Sequence, residues 1–325
     1  MKSIKAIMVL LVATLLLTAC KSDSGISTLE RQKETENLTI TESGLPKYEA
    51  NIIIDREGNE IIIPENVETI ISLAPSVTET LVSLGLAEKI IAIDIHSAEI
   101  EGLPADLSTF DMMSPDIESI IALNPDLVLS SSINRLGGDD PFRAVVDAGV
   151  FVTAIPTSAS IEAIKEDVRF IGIITNTSQR AEEIVFEMEK VIDEITQTIA
   201  LAKKGKKVYF EISPYPHLYS FGSGVFLNEL IGLLGAENIL ADQESWVAVS
   251  EEVVLERNPD IIFTNVPYIE DSAGKILERN GWDVVDAVKE GRVYFVNQNT
   301  TSRSNEKVVI GLRQMAEAMY PELFL

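Results

Sequence analysis

The 325-residue sequence predicts an α/β protein: two related lobes with mainly parallel sheets, joined by one long α-helix. Three observations carry this expectation. From Tyr48 onward, short β-branched runs alternate with helical stretches, the pattern of a parallel sheet with helices on its faces. One half of the chain echoes the other. A single apolar stripe at helical spacing lies between the two halves.

The elements follow in order. Lys2 and Lys5 precede an apolar run from Ala6 to Leu17. That run is too short to cross ~30 Å of hydrocarbon at ~1.5 Å per residue, so residues 1–19 read as a signal peptide. Leu17-Thr18-Ala19-Cys20 resembles the lipobox of bacterial lipoproteins. The resemblance implies that Cys20, the only cysteine, is acylated and becomes the new N-terminus. The alternative is plain secretory cleavage near Ala19, with Cys20 a bystander. Two or three acyl chains, at ~0.8 kcal/mol per buried methylene, anchor firmly. Residues 20–46 are rich in Ser, Thr, Glu and Lys without apolar periodicity. They read as a flexible tether spanning about 28 Å as coil.

The N-terminal lobe is expected over 47–177. Asn51–Ile54 and Glu60–Ile63 flank a turn at Gly58 and read as a hairpin. Strands are expected at Thr69–Leu73, Ile90–Ile93, Leu127–Ser130 and Phe151–Ile155, with helices such as Ser76–Leu84 and Pro115–Leu123 between them. The linking helix is expected over 178–204. Ala181, Ile184, Met188, Val191, Ile195 and Ile199 form its stripe, with Ser178 as N-cap and Lys203-Lys204-Gly205 as its stop. Its length would be about 39 Å. The C-terminal lobe, 205–325, carries strands at Lys207–Ile212, Ile261–Thr264 and Arg292–Val296.

The echo is specific. Glu118 is followed seven residues later by Pro125-Asp126 and a buried strand, and Glu252 likewise by Pro259-Asp260. The segment 79–90, from Glu79 to Ile90, resembles the segment 228–239, from Asn228 to Ile239.

Composition narrows function. The net formal charge is −25, which repels phosphate backbones and argues against nucleic-acid partners. One cysteine excludes a disulfide framework and a Cys-rich zinc site. Gly222-Ser223-Gly224 has neither a dinucleotide loop's third glycine nor the spacing of a nucleophile elbow, and no Walker-type run occurs. His96 and His217 are too few for a direct zinc or manganese site, which needs three or four ligands. Either could ligate haem iron.

Ile71-Ser72-Leu73-Ala74-Pro75-Ser76-Val77-Thr78-Glu79, the paired Glu-x6-Pro-Asp segments, the mid-chain helix and Gly235-Ala236-Glu237-Asn238 appear in a telling order. Over Tyr48 to Leu325 the chain resembles the substrate-binding proteins of ABC importers for cobalamin, ferric siderophores and haem. The resemblance implies two Rossmann-like lobes with a ligand cleft between them, a monomer with no catalytic activity, and no intrinsic cofactor. The cargo would be a metal chelate, either a corrinoid, a ferric siderophore or haem. The partners would be a permease dimer and its ATPase subunits.

In open parallel sheets ligands sit beyond the carboxyl ends of the strands. That rule places Pro75, Ser76, His96, Ser130–Ser132, Thr157, Tyr215–Tyr219, Asn265–Tyr268 and Asn297–Arg303 near the cleft. Phe110, Tyr215, Tyr219, Trp246 and Tyr268 are candidate flat walls for a macrocycle, and any of them could instead be core. Trp246 stands where the cobalamin branch also places a tryptophan. Asn299 and Arg303 match an Asp-x3-Arg pair of that branch, with Asn replacing the acid; Arg303 could equally be a surface residue. In the resembled family one glutamate per lobe docks onto the permease, which points to Glu118 and Glu252. The alternative for each is complementing a helix dipole. Two other functions remain open: a surface-anchored hydrolase or chelatase using cleft carboxylates, and a direct zinc or manganese receptor.

Overall fold

The computed structural model describes residues 38–40, 46–48, 52–135, 140–202 and 205–324. The segment expected as a signal peptide, Cys20 and most of the segment expected as a tether lie outside them. The chain divides into two units, Met1–Ala50 and Asn51–Leu325. In the first unit β1 (Leu38–Ile40) pairs antiparallel with β2 (Pro46–Tyr48). The end of the stretch expected as coil thus holds a strand pair.

The second unit opens with the hairpin β3 (Ile52–Ile54) and β4 (Glu60–Ile62). Asp55 holds its turn by accepting from the backbone N–H of Glu57 and Asn59 at 2.9 and 2.8 Å. Next come β5 (Ile70–Ser72), β6 (Ile90–Asp94), β7 (Ser108–Phe110), β8 (Leu127–Ser131) and β9 (Phe151–Ile155). They form an all-parallel sheet in the order β7-β6-β5-β8-β9. Helices α1 (Pro75–Ser83), α2 (Ile117–Leu123) and α3 (Arg143–Asp147) connect them. Ile70 packs into one core and Ile71 into another on the opposite face. That alternation covers the sheet on both sides, as all-parallel sheets require.

The chain leaves β9 through α4 (Ile161–Ile174) and then α5 (Ser178–Thr198). α5 is the linking helix, but it is 21 residues long, about 31 Å, rather than the expected 39 Å. It ends at Thr198, and residues 199–202 turn. Thr177, not Ser178, is the N-cap, and its side chain makes no capping bond to the helix. The helix also has a companion. Gly172 of α4 lies so close to α5 that a Cβ there would sit 2.5 Å from the Ala181 methyl, which only glycine permits. Lys165 and Arg169 of α4 pair with Glu189 and Glu182 of α5, so the two helices run antiparallel. Both feed both lobes. Ala181, Ile184 and Val185 enter the first lobe's core, and Met188, Ile195 and Ile199 the second's. Each buried Ile, Val or Met among them stabilises by about 1.5–3 kcal/mol.

The second lobe contains β10 (Lys206–Glu211), β11 (Tyr219–Phe221), β12 (Ala236–Asn238), β13 (Trp246–Ala248), β14 (Ile261–Thr264) and β15 (Val293–Phe295). Its main sheet is parallel, in the order β12-β10-β14-β15, and β11 pairs with β13 in a separate ribbon. Helices α6 (Phe226–Leu233), α7 (Glu251–Arg257), α8 (Ser272–Leu277), α9 (Asp286–Lys289), α10 (Gln298–Ser302) and α11 (Val308–Met319) complete it.

The duplication holds in three dimensions. The order β6-β5-β8-β9 corresponds to β12-β10-β14-β15. α1 and α6 both stop at a glycine with positive φ, Gly85 and Gly235, before the next strand. α2 and α7 each have seven residues and end on a left-handed asparagine, Asn124 and Asn258. Each asparagine is followed by Pro-Asp, and the aspartate does the same work twice. Asp126 accepts from the backbone N–H of Glu68 and Thr69, and Asp260 from that of Lys207. In each lobe this pins the repeated strand to the start of the first strand.

Candidate functional site

A cavity of about 940 Å³ lies beyond the carboxyl ends of the first lobe's strands. Every strand of that sheet contributes: Pro75 and Ser76 follow β5, His96 follows β6, Met112 follows β7, Ile133 follows β8 and Thr157 follows β9. The second lobe supplies Asn297–Thr300, Ser302–Ser304 and Lys307, from the segment after β15.

Local chemistry fixes these loops. Pro75 starts α1 directly after β5, where its fixed φ and missing N–H cost nothing. Asn134, buried at 4% exposure, links three loops at the cavity floor. Its Nδ2 donates to the carbonyls of Leu73 and Met112 at 3.3 and 2.5 Å, and its Oδ1 accepts from Ser131 N–H at 2.6 Å. Asp94 closes β6 and caps the turn that presents His96, accepting from the His96 backbone N–H at 2.8 Å and from Ser97 Oγ. Burial holds its carboxyl above the usual range, against the pull of Ser97. On the other lobe Asn265, at the end of β14, donates to Thr301 Oγ1 and Ser302 Oγ at 3.0 Å, and so seats α10.

Buried charges join the lobes beside the cavity. Glu79 of α1 receives Arg303 Nη1 at 2.8 Å, Lys307 Nζ at 3.3 Å and Asn305 Nδ2 at 2.5 Å. In the opposite sense Glu306 of the second lobe receives Thr80 Oγ1 at 2.8 Å and Ser83 Oγ at 2.5 Å. Sequence reasoning singled out none of Asn134, Asp94, Asn305 or Glu306. Buried acids next to helix ends were the available signal, diluted among 51 Asp and Glu.

The structure divides the expected site residues. Pro75, Ser76, Asn299 and Arg303 line the cavity, and so does His96. Phe110 is a correction: at 7% exposure it packs with Ile71, Leu73 and Phe142 in the first lobe's core. Tyr215, Tyr219, Trp246 and Tyr268 are absent from the lining; Trp246 packs, partly buried, against the second lobe's core, and the three tyrosines are exposed. Tyr215 and Tyr268 are 60% and 69% exposed. They follow β10 and β14, so they leave the second sheet at the same edge as the 297–303 segment after β15. Trp246 is half-buried on the β11–β13 ribbon, edge-on to Phe221 at 5.9 Å. Tyr219 lies on the same ribbon and donates weakly to the Trp246 carbonyl at 3.4 Å.

Glu118 and Glu252 are exposed in the first turns of the equivalent helices α2 and α7. A hydrogen bond from the Ser250 side chain holds the Glu252 carboxyl below the usual range. His217 is exposed, away from the lining. Among the described residues no three His, Cys, Asp or Glu side chains converge to hold a metal ion.

A family model described as periplasmic binding protein matches residues 70–300. An ABC transporter substrate-binding lipoprotein of Bacillus subtilis (strain 168), described as uncharacterized, is 29% identical over 321 residues, 97% of this chain and 96% of that one. The crystal structure of a possible iron-binding (periplasmic solute-binding) protein from Staphylococcus epidermidis ATCC 12228 matches with a TM-score of 0.71 at 29% identity, covering 79% of this chain and 100% of that one. The periplasmic vitamin B12 binding protein of Vibrio cholerae shares the fold, with a TM-score of 0.63 at 22% identity, over 78% of this chain and 97% of that one.

Proposed function

The chain belongs to the periplasmic binding protein family, and from that premise we propose that it captures a metal-chelate nutrient outside the cytoplasmic membrane and delivers it to an ABC importer. The cavity carries this reading. Its volume of about 940 Å³ lies in the range of sites that enclose a whole small molecule. Its walls belong to both lobes. Pro75, Ser76, Asn299 and Arg303 orient the ligand, while Tyr215, Tyr219, Trp246 and Tyr268, outside the cavity lining, would add flat apolar surface where a bulky ligand extends beyond it. A corrinoid, a ferric siderophore or haem has the matching form, a bulky body with a polar periphery. Function is then affinity and hand-over. No bond is made or broken, so the protein is not an enzyme and carries no cofactor of its own.

Glu118 and Glu252 dock onto the two permease subunits that work with the ATPases. The supporting feature is their equivalence: one exposed acid at the same offset on the same helix of each lobe suits a partner with two equivalent halves. Cys20 carries the lipid, and residues 20–46 tether a monomer to the outer face of the membrane.

The test uses the full chain in detergent, titrated with cyanocobalamin, ferric siderophores and hemin while tryptophan fluorescence is followed. Saturable quenching with the chelate recovered chemically unchanged is expected. Turnover of the chelate would establish a hydrolase or chelatase instead, and tight stoichiometric zinc in place of any chelate would establish a metal receptor.

A further inference from the structure

Resting on that reading, we propose that the cleft selects a neutral or net-cationic chelate, one whose outer atoms are amides, carbonyls or hydroxyls, and rejects chelates bearing free carboxylates or other net negative charge. Two Lys or Arg side chains stand among the lining residues, Arg303 and Lys307. Both are already engaged by Glu79, at 2.8 and 3.3 Å. The Glu79 side chain is 5% exposed, so water screens these attractions little. An entering anion would have to compete with Glu79 for Arg303 and Lys307, and drawing both away would leave a buried carboxylate held by Asn305 alone, which is strongly unfavourable. In the resting site Glu79 therefore offsets much of the pull that the two cations would exert on an anionic guest.

Among the described residues the other Asp, Glu, Lys and Arg side chains that line the cavity are acidic. Glu99 and Glu101 line it and are exposed, and Asp94 is buried directly behind the turn that presents His96. A cleft with acids at its rim and low-dielectric walls focuses a negative potential, and the net charge of the whole chain, −25, adds to it at long range. The neutral lining completes the argument. Ser76, Ser131, Thr157, Asn297, Gln298 and Asn299 supply hydroxyls and amides, which pair with neutral donors and acceptors.

The experiment titrates the full chain in detergent with chelates of graded charge. The probes are the cationic ferric complex of desferrioxamine B, neutral cyanocobalamin and ferrichrome, anionic ferric enterobactin and ferric citrate, and molybdate. At least one neutral or cationic probe should bind at least tenfold more tightly than every anionic one, and added salt should narrow the difference. Glu79→Gln, which frees Arg303 and Lys307, should raise affinity for an anionic probe at least tenfold. Glu99→Gln/Glu101→Gln alters exposed positions only and should move affinity the same way by a smaller factor. Wild-type protein that binds an anionic probe as tightly as the neutral ones overturns the inference and leaves the chelate reading standing. Protein that binds none of the probes overturns both.

Discussion

Glu79 and Arg303 are 224 positions apart in the chain and 2.8 Å apart in space. The acid belongs to the first helix of one lobe and the guanidinium to the loop before the last long helix of the other. Glu306, which accepts from Thr80 and Ser83, makes the reverse connection. The two carboxylates thus tie the lobes next to the cavity, in addition to the α4–α5 pair. Glu79→Ala removes the acceptor of three donors and leaves two partly exposed cations that water can reach. It should lower the unfolding free energy by about 2–3 kcal/mol. Arg303→Ala should cost about 1 kcal/mol, because Lys307 and Asn305 still satisfy the acid. Urea unfolding followed by circular dichroism measures both, and equal losses would show that Arg303 carries the whole tie.

If Glu118 and Glu252 dock onto a permease, their loss separates binding from uptake. Neither borders the cavity, and each sits in the first turn of a short exposed helix. The Glu118→Ala/Glu252→Ala variant should keep its chelate affinity within a factor of about two while uptake by cells falls by tenfold or more. Each single variant should fall short of the double. Full uptake by the double variant would assign both acids to their helix dipoles alone.

Cys20 precedes the described residues, and its role is tested chemically. Cys20→Ser should move the protein from the membrane fraction to the soluble fraction without changing ligand affinity. Acylation of two or three chains makes anchoring effectively stable, whereas a single chain binds only reversibly. Retention of the serine variant on membranes would show that something other than lipid at Cys20 holds the chain there.

The parts legible in the sequence are those written in local chemistry. Asn124-Pro125-Asp126 and Asn258-Pro259-Asp260 stop a helix, turn the chain and pin a strand with consecutive residues, so the repeat could be read without knowing the fold. β9 and β14 were legible to the residue because a buried parallel strand is a bounded apolar run. The same property hid Phe110: where both sheet faces are buried, alternation does not tell a core aromatic from one facing the cavity. The α4–α5 pairing rests on Gly172 meeting Ala181, a contact between helices that leaves no periodic trace. Glu79, Arg303, Asn305 and Lys307 are ordinary polar residues until the lobes come together. Their partnership is long-range, and a chain with 51 acids gives no means of choosing the pair.

Asp167 makes stability depend on pH, through a tie between the opening hairpin and α4. Arg56, in the turn between β3 and β4, donates from Nε to Asp167 Oδ1 at 2.6 Å, from Nη1 to Glu166 at 2.7 Å and from Nη2 to the Ala163 carbonyl at 3.2 Å. The Asp167 side chain is 5% exposed, and burial pushes its carboxyl up to about 6, outweighing Ser158 and Arg56, which pull it down. An acid raised on folding is protonated more in the native than in the unfolded state between pH ~4 and ~6. Its contribution is therefore fully present below pH ~4 and is lost as pH rises through ~6. Asp167→Asn cannot titrate. The stability difference between that variant and the wild type should shift in the variant's favour by about 2–3 kcal/mol from pH ~4 to pH ~7. Chemical unfolding across that range measures it, and a flat difference would mean that Arg56 keeps Asp167 ionised throughout.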